Sequence, residues 1–313
     1  MHPLLSVVIC THNPKAVALR RVMESLYAQD IGAEKWECII VDNKSDTPIS
    51  ERLVELGILE FVRVIGEPRL GLTHARVSGI RESRSEVLVF VDDDNVLAPD
   101  YLKNSLAIME SEAHVGVLGG IIRADFEKSP RRCVSDSLFL LGIRDFGALP
   151  VRALIYNQVG PWEPIGAGMV IRRLVASRYA AHLTMEMRTQ LDRRGASLGS
   201  CGDTDMARCA PELGLYMAYD PRLWLVHLIP EFRVAPYYLL RLHRALARTG
   251  TLLDRIRTGS PSRLVGTAAI CMWWLRAFYR VPAFSVFRMA ASIADAYGRY
   301  EGRRAVIGES KSG

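Results

Sequence analysis

The sequence lacks several features that would place it in common protein classes. Its six cysteines are scattered over 313 residues, and no two of them form a Cys-x-x-Cys pair. The spacing therefore indicates neither a zinc cluster nor a disulfide framework, and it favours a reducing compartment. No run reaches the ~18 to 20 apolar residues that are needed to span a bilayer. The start, MHPLLSVVIC, has no basic segment before its apolar residues, so we expect no secretory signal.

The chain has little net charge overall, but that charge is unevenly placed. The formal net charge is +6. Residues 236–313 hold 13 Lys and Arg against 4 Asp and Glu, a net of +9, so the residues before them carry −3. All of the basic excess lies in the C-terminal segment, which indicates an anionic surface as its partner.

The most informative stretch is residues 85–100, SEVLVFVDDDNVLAPD. Its apolar residues 87–91 are typical of a parallel strand buried on both faces. Asp92, Asp93 and Asp94 follow without a spacer, and such carboxylates repel one another unless something neutralises them. Ligands of open α/β sheets bind at this end of the strands. The run indicates either a divalent cation that carries phosphates or a solvated acidic turn that caps the next helix.

Apolar segments and helical patterns alternate before this stretch. Strands are predicted over residues 4–10, 36–41 and 61–65, and helices over residues 15–29, 51–56 and 71–83. The order β-α-β-α-β-α-β predicts an α/β fold, Rossmann-like, with a mostly parallel sheet and helices on both faces.

Polar side chains follow the predicted strands. Residues 11–13, residues 42–43 and residues 92–94 would gather along one edge of the sheet. Helix capping explains any one of these groups, because Asn, Asp, Ser and Thr are common N-caps. Capping does not explain acidic residues repeated at neighbouring strand ends, so we expect a ligand-binding edge.

Seven stretches of the first 235 residues together resemble one enzyme family. In order, they are SVVICTHNP, CIIVDNKSD, GLTHARVSGI, VFVDDDN, PIGAGMVIRR, CGDTDMARC and VHLIPEFR. They resemble the inverting glycosyltransferases of family 2, bacterial polysaccharide type, in order and spacing as well as in letters. The resemblance implies a GT-A nucleotide-sugar domain over residues 1–235. It also implies transfer of a hexosyl group from a nucleotide-diphosphate sugar, with UDP-sugars favoured, to a hydroxyl of a glycan or lipid-linked acceptor.

The resemblance also implies which residues bind the donor. Nucleotide-sugar-binding residues would be Thr11, Asn13, Asp42, Arg76, Asp92 and Asp93. Asp94, the last acid of a D-x-D motif, would bind a Mn or Mg ion on the diphosphate, and His227 would be a second metal or phosphate ligand. Chemistry agrees, because the departing diphosphate carries charge that a cation can stabilise. On its own, a His after an apolar strand is more often structural.

A second acidic motif lies at residues 201–209, CGDTDMARC. The residues alone are explained by acids in a first helical turn, where the helix dipole stabilises them. The resemblance implies that Asp203, rather than Asp205, is the general base, which an acceptor hydroxyl needs. Two departures from the family pattern are Val77, where Asn is frequent, and Gly202, where Glu is usual. The first departure affects a loop near the nucleotide, and the second affects the assignment of the general base.

The acceptor would be bound by the middle of the chain. We predict a strand over residues 115–124 and irregular, acceptor-facing loops over residues 125–160. Trp162 in the following WEPIGAG stretch could stack on a sugar, or could be a core residue in a plain turn. The resemblance implies that the acceptor contacts Trp162, Glu163, Gly166 and Asp205.

Beyond residue 235 the pattern is helical. After a short strand at residues 223–226, helical patterns cover residues 237–249 and 264–275. Arginines accompany Trp273, Trp274, Phe278 and Phe284, which is typical of a helix in a membrane interface. We therefore predict a cytoplasmic protein, peripheral on the inner face of the membrane. The alternatives are a helical hairpin that packs on the catalytic domain and a homo-oligomer interface.

Two other functions fit parts of the sequence, and no feature indicates nucleic acid as a partner. A nucleotidyltransferase is expected to have a glycine-rich, lysine-containing loop after the first strand, whereas residues 11–14 are THNP. A non-catalytic sugar-nucleotide-binding homologue would have lost the chemistry, whereas the acids of both motifs are intact.

Overall fold

The computed structural model describes residues 2–58, 61–154, 160, 162–182, 186–195, 197–259 and 286–309. Residue contacts divide the chain into two compact units. The first unit comprises Met1–Glu127, Gly142–Thr189 and Gly202–Ile229, and the second comprises Lys128–Leu141, Gln190–Cys201 and Pro230–Gly313. The division at residue 235 stays a prediction.

A nine-stranded sheet forms the centre of the first unit, within the part of the chain that the structure describes. Its strands are β1 (Leu5–Thr11), β2 (Trp36–Asp42), β3 (Val62–Gly66), β4 (Val87–Asp92), β5 (Asn95–Leu97), β6 (Val115–Phe126), β7 (Val151–Ala153), β8 (Val170–Arg172) and β9 (Tyr216–Ile229). The strand order is β3-β2-β1-β4-β8-β6-β9-β5, and β7 also pairs with β9. The first four strands in this order are parallel, as predicted. Beyond β4 the sheet is mixed, because β8 runs antiparallel to β4 and β6.

Seven helices of the first unit cover this sheet. They are α1 (Ala16–Tyr27), α2 (Ile49–Glu55), α3 (Leu72–Glu82), α4 (Tyr101–Ser111), α5 (Arg173–His182), α6 (Gly202–Ala207) and α7 (Cys209–Glu212). Successive strand residues point to opposite faces. Val7 and Ile9 of β1 belong to one buried cluster with residues of α1 and α4. Val8 belongs to a second cluster, with residues of α3 and α5. The predicted α/β fold with helices on both faces is confirmed.

Helix α3 packs very closely on strand β1. A Cβ atom built at Gly79 would lie 2.3 Å from Cγ1 of Val8. Only a residue without a side chain fits this contact. The close packing places the start of α3, and with it Arg76, against the sheet.

Two predictions were wrong, and one strand was not predicted. Asn95–Leu97, for which no element was predicted, forms β5 and pairs antiparallel with β9. Residues 125–160, expected as loops, contain a 3₁₀ helix at Arg132–Leu141 and strand β7. The strand expected at residues 223–226 is much longer, because β9 pairs along ten positions with β6. These strands are stabilised by partners far away in sequence, which local patterns do not reveal.

The second unit contains two long helices, α8 (Pro236–Thr258) and α9 (Val286–Glu309). The predicted helix at residues 237–249 is confirmed and continues for two further turns. Arg244 joins the two helices: its Nε donates to Glu301 (2.7 Å), and its guanidinium lies 4.5 Å from the centre of the Tyr297 ring. Residues 264–275, with Trp273 and Trp274, lie outside the described residues, as do Phe278 and Phe284. Of the helices that the structure describes, none is long and apolar enough to cross a bilayer.

Candidate active site

The predicted polar residues of three strand ends lie together at one edge of the sheet. Thr11 at the end of β1 is in register with Asp42 at the end of β2. Cys10 is in register with Asp92 at the end of β4. The expected gathering at the carboxyl edge is therefore confirmed. We call the following set the acidic edge: Thr11, Asp42, Asp92, Asp93, Asp94 and His227.

Hydrogen bonds connect the loops of this edge. The buried Thr11 hydroxyl donates to the carboxylate of Asp93. Asn13 has a positive φ of 52°, and its side-chain amide donates to Asp46 (3.0 Å) and accepts from the Asp46 backbone N–H (2.9 Å). These contacts hold the loop after β1 against the loop after β2.

Asp42 also organises its own loop. Its two carboxylate oxygens accept the backbone N–H groups of Ser45 (2.9 Å) and Ile49 (3.1 Å). Asp42 therefore accepts the N–H of the first residue of α2 from a position at the end of β2, whereas the N-cap residue of that helix is Pro48. Each oxygen retains further acceptor capacity, and the predicted role of Asp42 in nucleotide-sugar binding stays a prediction.

Asp94 and His227 come together from different strands. Nε2 of His227 lies 3.3 Å from Oδ2 of Asp94. Asn95, which follows Asp94, pairs with His227 across β5 and β9. Two ligand atoms of one octahedral ion, each about 2.1 Å from it at right angles, are about 3 Å apart. Carboxylate and imidazole ligands suit Mn²⁺, and the carboxylates also suit Mg²⁺. The arrangement of these two side chains therefore fits a divalent cation.

Two buried polar residues organise the neighbouring loop: Asn43, which was predicted only as part of the ligand-binding edge, and Glu67, which was not predicted. The side chain of Asn43 donates to the carbonyls of Glu67 (3.1 Å) and Arg69 (2.8 Å) and accepts from Gly71 N–H (2.7 Å). Glu67 accepts hydrogen bonds from Nε and Nη2 of Arg69, both at 2.9 Å, and from Ser78. The Arg69 hydrogen bonds outweigh burial and lower the pKa of Glu67 to about 2. These residues fix the loop between β3 and α3. The sequence signal for Glu67 and Arg69 was the run GEPRLG, which has an acid and a base two residues apart.

Asp203 lies in a second group of predicted residues. Its Oδ2 accepts the backbone N–H of Gly166 (2.9 Å). A Cβ atom at Gly166 would lie 2.6 Å from Nη2 of Arg76 and 3.5 Å from Cβ of Asp203. The structure thus packs Arg76, Gly166 and Asp203 against one another, and we call them the Asp203 cluster. All three are buried, with Asp203 8% exposed.

Asp205 has a different environment from Asp203. It is fully buried, and Nη1 of Arg188 donates to its Oδ2 at 2.5 Å. A buried charge is retained where it is paired in this way. The acceptor-binding role predicted for Asp205 stays a prediction, and this ion pair does not support it. Sequence reasoning missed Arg188, which lies in a short 3₁₀ helix at Glu186–Gln190 that no local pattern predicted.

A shallow open pocket lies beside the Asp203 cluster. Trp162 and Glu163 line it, together with Gly119 and Gly120 of β6. Glu163 is buried and accepts a hydrogen bond from Nε of Arg208 (3.0 Å). The half-buried Trp162 side chain leaves apolar surface that could face a sugar.

Arg144 is another lining residue that sequence reasoning missed. Its backbone exchanges two hydrogen bonds with Ile122 of β6, at 2.8 and 3.0 Å. Burial lowers the pKa of the Arg144 guanidinium, while the charges of Asp203 and Glu163 oppose this effect. The pocket therefore contains both cationic and anionic side chains.

Comparisons with known proteins identify relatives of this chain. The model of the family described as Glycosyl transferase family 2 matches residues 6–161. The succinoglycan biosynthesis protein ExoW of Rhizobium meliloti (strain 1021) is 33% identical over 109 residues, 34% of this chain and 34% of that protein. The amylovoran biosynthesis glycosyltransferase AmsE of Erwinia amylovora is 30% identical over 131 residues, 40% of this chain and 47% of that protein. Each of these matches spans less than half of the relative's length.

A solved structure has a similar fold. It is a mannosyltransferase from Pyrobaculum calidifontis in complex with GDP-Man and Mn²⁺, with a TM-score of 0.57 and 16% identity. The likeness covers 96% of this chain and 88% of that one. At this identity it shows the fold alone, which is the α/β fold of GT-A glycosyltransferases with C-terminal helices. The family match over residues 6–161 and the curated relatives place this chain in glycosyltransferase family 2.

Proposed function

We propose that the protein is a metal-dependent, inverting hexosyltransferase of polysaccharide biosynthesis. It would move a sugar from a nucleotide-diphosphate sugar to a hydroxyl of a glycan or lipid-linked acceptor. The observation that carries this proposal is the pairing of Asp94 with His227 at the strand edge where Thr11, Asp42 and Asp92 also meet. The printed functions of ExoW and AmsE, in succinoglycan and amylovoran biosynthesis, support the polysaccharide.

The acidic edge would bind the donor. Thr11, Asn13 and Asp42 would contact the nucleoside, with Arg76, Asp92 and Asp93 nearby. Asp94 and His227 would hold a divalent cation, Mn or Mg, and the presence of Mn²⁺ with GDP-Man in the similar mannosyltransferase supports this. When bound, the cation supplies positive charge that offsets the charge of the departing diphosphate. A UDP-sugar stays the predicted donor.

Asp203 would be the catalytic base. A base takes the proton of the acceptor hydroxyl as it attacks, and the sugar carbon inverts because attack comes from the face opposite the diphosphate. The Gly166 N–H holds one oxygen of Asp203 in place. Trp162, Glu163 and Gly166 line or adjoin the pocket that would bind the acceptor. A sugar could stack on Trp162 there.

The C-terminal segment would bring the enzyme to a membrane. Its net charge of +9 over residues 236–313 supports binding to an anionic surface. The enzyme would then meet a lipid-linked acceptor by diffusion in the plane of the membrane. The protein would be cytoplasmic and peripheral on the inner face of the membrane. A homo-oligomer through the C-terminal helices is the competing proposal for this segment.

A thermal-shift screen of sugar nucleotides with and without Mn²⁺ or Mg²⁺ tests the main proposal. A ligand that binds only the native state, at 100 times its dissociation constant, stabilises it by about 2.7 kcal/mol. We expect stabilisation by a nucleotide-diphosphate sugar that requires the cation, followed by slow hydrolysis of that sugar nucleotide. Stabilisation without any turnover would indicate a non-catalytic binding protein. If no sugar nucleotide stabilises the protein with either cation, the proposed function is wrong.

A further inference from the structure

Three side chains that could bind a metal meet at the end of helix α5. His182 is its last residue, and Cys209 and Glu212 lie one turn apart on α7. Nδ1 of His182 lies 3.8 Å from Sγ of Cys209, and its Nε2 lies 3.6 Å from Oε2 of Glu212. One donor atom from each of the three residues lies within 4.8 Å of the other two. None of these residues belongs to the acidic edge or to the Asp203 cluster.

We propose that His182, Cys209 and Glu212 bind a zinc ion, with water as the fourth ligand. Nitrogen, sulfur and carboxylate oxygen are the donors that Zn²⁺ takes in proteins. Zinc–ligand distances of about 2.0 to 2.3 Å place neighbouring ligand atoms of a tetrahedron about 3.4 to 3.6 Å apart. The two distances in the structure are slightly longer than this. The imidazole faces Cys209 through Nδ1 and Glu212 through Nε2, and only one of these two nitrogens binds the ion. A small side-chain rotation then brings the three ligand atoms around the ion.

Each of the three side chains can supply one donor atom to a cation: an imidazole nitrogen, the thiolate sulfur and a carboxylate oxygen. On binding, the Cys209 thiol, which now donates to the backbone oxygen of Asp205 (3.3 Å), releases its proton to solvent. The thiolate and the Glu212 carboxylate then neutralise the two charges of the ion.

A neighbouring arginine would orient one ligand. Nε of Arg178 donates to Oε2 of Glu212 at 3.1 Å. Partners of this kind fix the direction of a ligating carboxylate. Because Oε2 is also the oxygen that lies nearest His182, the ion would bind either this same atom or Oε1 after the carboxylate rotates.

The site would have a structural role close to the base. Helix α6, which carries Asp203 and Asp205, precedes α7 by a single residue, Arg208. An ion held by Cys209, Glu212 and His182 would therefore connect α5 to the segment that carries Asp203. Metal bonds that cross between elements stabilise the folded arrangement of both.

Cobalt absorption tests this site without any measurement of sugar transfer. Full-length protein is stripped of metal by a chelator with its thiols reduced, in an Asp94→Asn background that disables the acidic edge. Co²⁺ is then titrated, because its bond to a thiolate gives a charge-transfer band in the near ultraviolet. We expect one equivalent of Co²⁺ to produce the band and Zn²⁺ to remove it by displacement.

Single substitutions then identify the ligands. Cys209→Ser should abolish the band, whereas Cys133→Ser, a change at an exposed cysteine, should leave it intact. Glu212→Gln and His182→Gln should each weaken Co²⁺ binding by about tenfold or more. These two side chains are partly exposed, so they decide the question even if Cys209→Ser does not fold. Absence of the band, or a band that survives both Glu212→Gln and His182→Gln, would overturn the proposal and leave a hydrogen-bonded Cys–His–Glu group.

Discussion

Nη1 of Arg188 donates a 2.5 Å hydrogen bond to the carboxylate of Asp205 inside the protein. Asp203, only two residues earlier, instead accepts the backbone N–H of Gly166 beside Arg76. Two acids of one motif therefore have different surroundings. Asp205 neutralises a buried cation, and Asp203 lies beside the open pocket that Trp162 and Glu163 line.

Substitution of Asp203 should affect the transfer rate, whereas substitution of Asp205 should affect the stability of the fold. Asp203→Asn should lower the transfer rate by about 10² to 10⁴ fold with little change in donor affinity, because a base acts in the transition state. Asp205→Asn should destabilise the fold by about 3 kcal/mol or more, because it leaves the Arg188 charge buried without a carboxylate. Urea unfolding and single-turnover transfer distinguish the two. If Asp203→Asn transfers normally, the base has been assigned wrongly.

The pairing of Asp94 with His227 predicts a shared ligand. Asp94→Asn and His227→Gln should each weaken the cation-dependent part of donor binding, and the double variant should lose less than the sum of the two losses. Calorimetric titration of the donor at several Mn²⁺ concentrations measures this.

Asp94→Asn should remain as stable as the native protein without metal, or become more stable, since one of three neighbouring charges is lost. Asp30→Asn, a change at an exposed acid that pairs with Lys103, is the matched control. If the losses in donor binding caused by Asp94→Asn and His227→Gln are strictly additive, the two residues contribute to donor binding separately.

Gly166 should tolerate no side chain. Gly166→Ala would place a methyl group 2.6 Å from the Arg76 guanidinium, so the guanidinium must move away from the Asp203 cluster. We expect transfer to fall at least tenfold, by analogy with the effect of small displacements in active sites. Gly66→Ala, at a position with no atom within 4 Å of the added carbon, should keep its activity. Equal activity of the two variants would show that the Arg76 contact is unimportant.

Acid should weaken the sheet through Asp220. This residue of β9 is 1% exposed, and Nη2 atoms of Arg152 and Arg222 each donate to it at 2.8 Å. Burial raises its pKa, but these arginines outweigh burial and lower the pKa from 3.8 to about 2. Because the folded pKa is the lower one, the stabilisation is complete above about pH 4 and is lost as the pH falls toward 2.

The difference of nearly two pKa units corresponds to about 2 kcal/mol. Urea unfolding of the native protein between pH 5 and pH 2 should therefore show this loss, in addition to that of other carboxylates. In Asp220→Asn this part of the pH dependence should be missing. Parallel curves for the two proteins would contradict the assignment.

The C-terminal segment should bind anionic vesicles. Each Lys or Arg near such a surface contributes about 1 kcal/mol, and salt weakens the attraction. Co-sedimentation should rise with the anionic lipid content and fall with salt. The double variant Arg241→Gln/Arg299→Gln should bind more weakly, whereas Arg20→Gln/Lys35→Gln, with the same change of charge outside the segment, should bind normally. If the full-length protein ignores anionic vesicles at low salt, the segment has another role.

The sequence predicted the elements whose information is local. Strands β1, β2 and β4 are mostly apolar runs that end in polar residues, whereas β3 contains Arg63 among its apolar residues and ends at Gly66. Helices α1 to α3 each bury one face, and the bounds of all seven elements were right within a few residues. The acidic edge followed from the same pattern, since parallel strands bring their ends together. Strand β5 was missed because three residues, Asn95–Leu97, carry little pattern and depend on β9 for their hydrogen bonds.

Pairings between distant side chains could not be predicted. Arg188 and Asp205 are joined across a separation of 17 residues, and no periodicity in the sequence marks Arg188 as the buried partner of Asp205. Arg144 reaches the pocket only because its backbone pairs with Ile122 of β6. The proposed zinc ligands are similar: Cys209 and Glu212 are one turn apart, but His182 lies 27 residues before Cys209. Such contacts depend on the tertiary fold.

The sheet order has a consequence for synthesis on the ribosome. β1 lies between β2 and β4, so the first strand to emerge gains its second partner only when Asp92 has left the exit tunnel. β6 is covered by β9, which ends at Ile229. Long-range strand pairing of this kind is slow, because the intervening chain must close first. Asp94 therefore spends the time needed to make more than a hundred further residues without His227. The nascent chain would bring Asp94 and His227 together in the same step in which β9 pairs with β5 and β6.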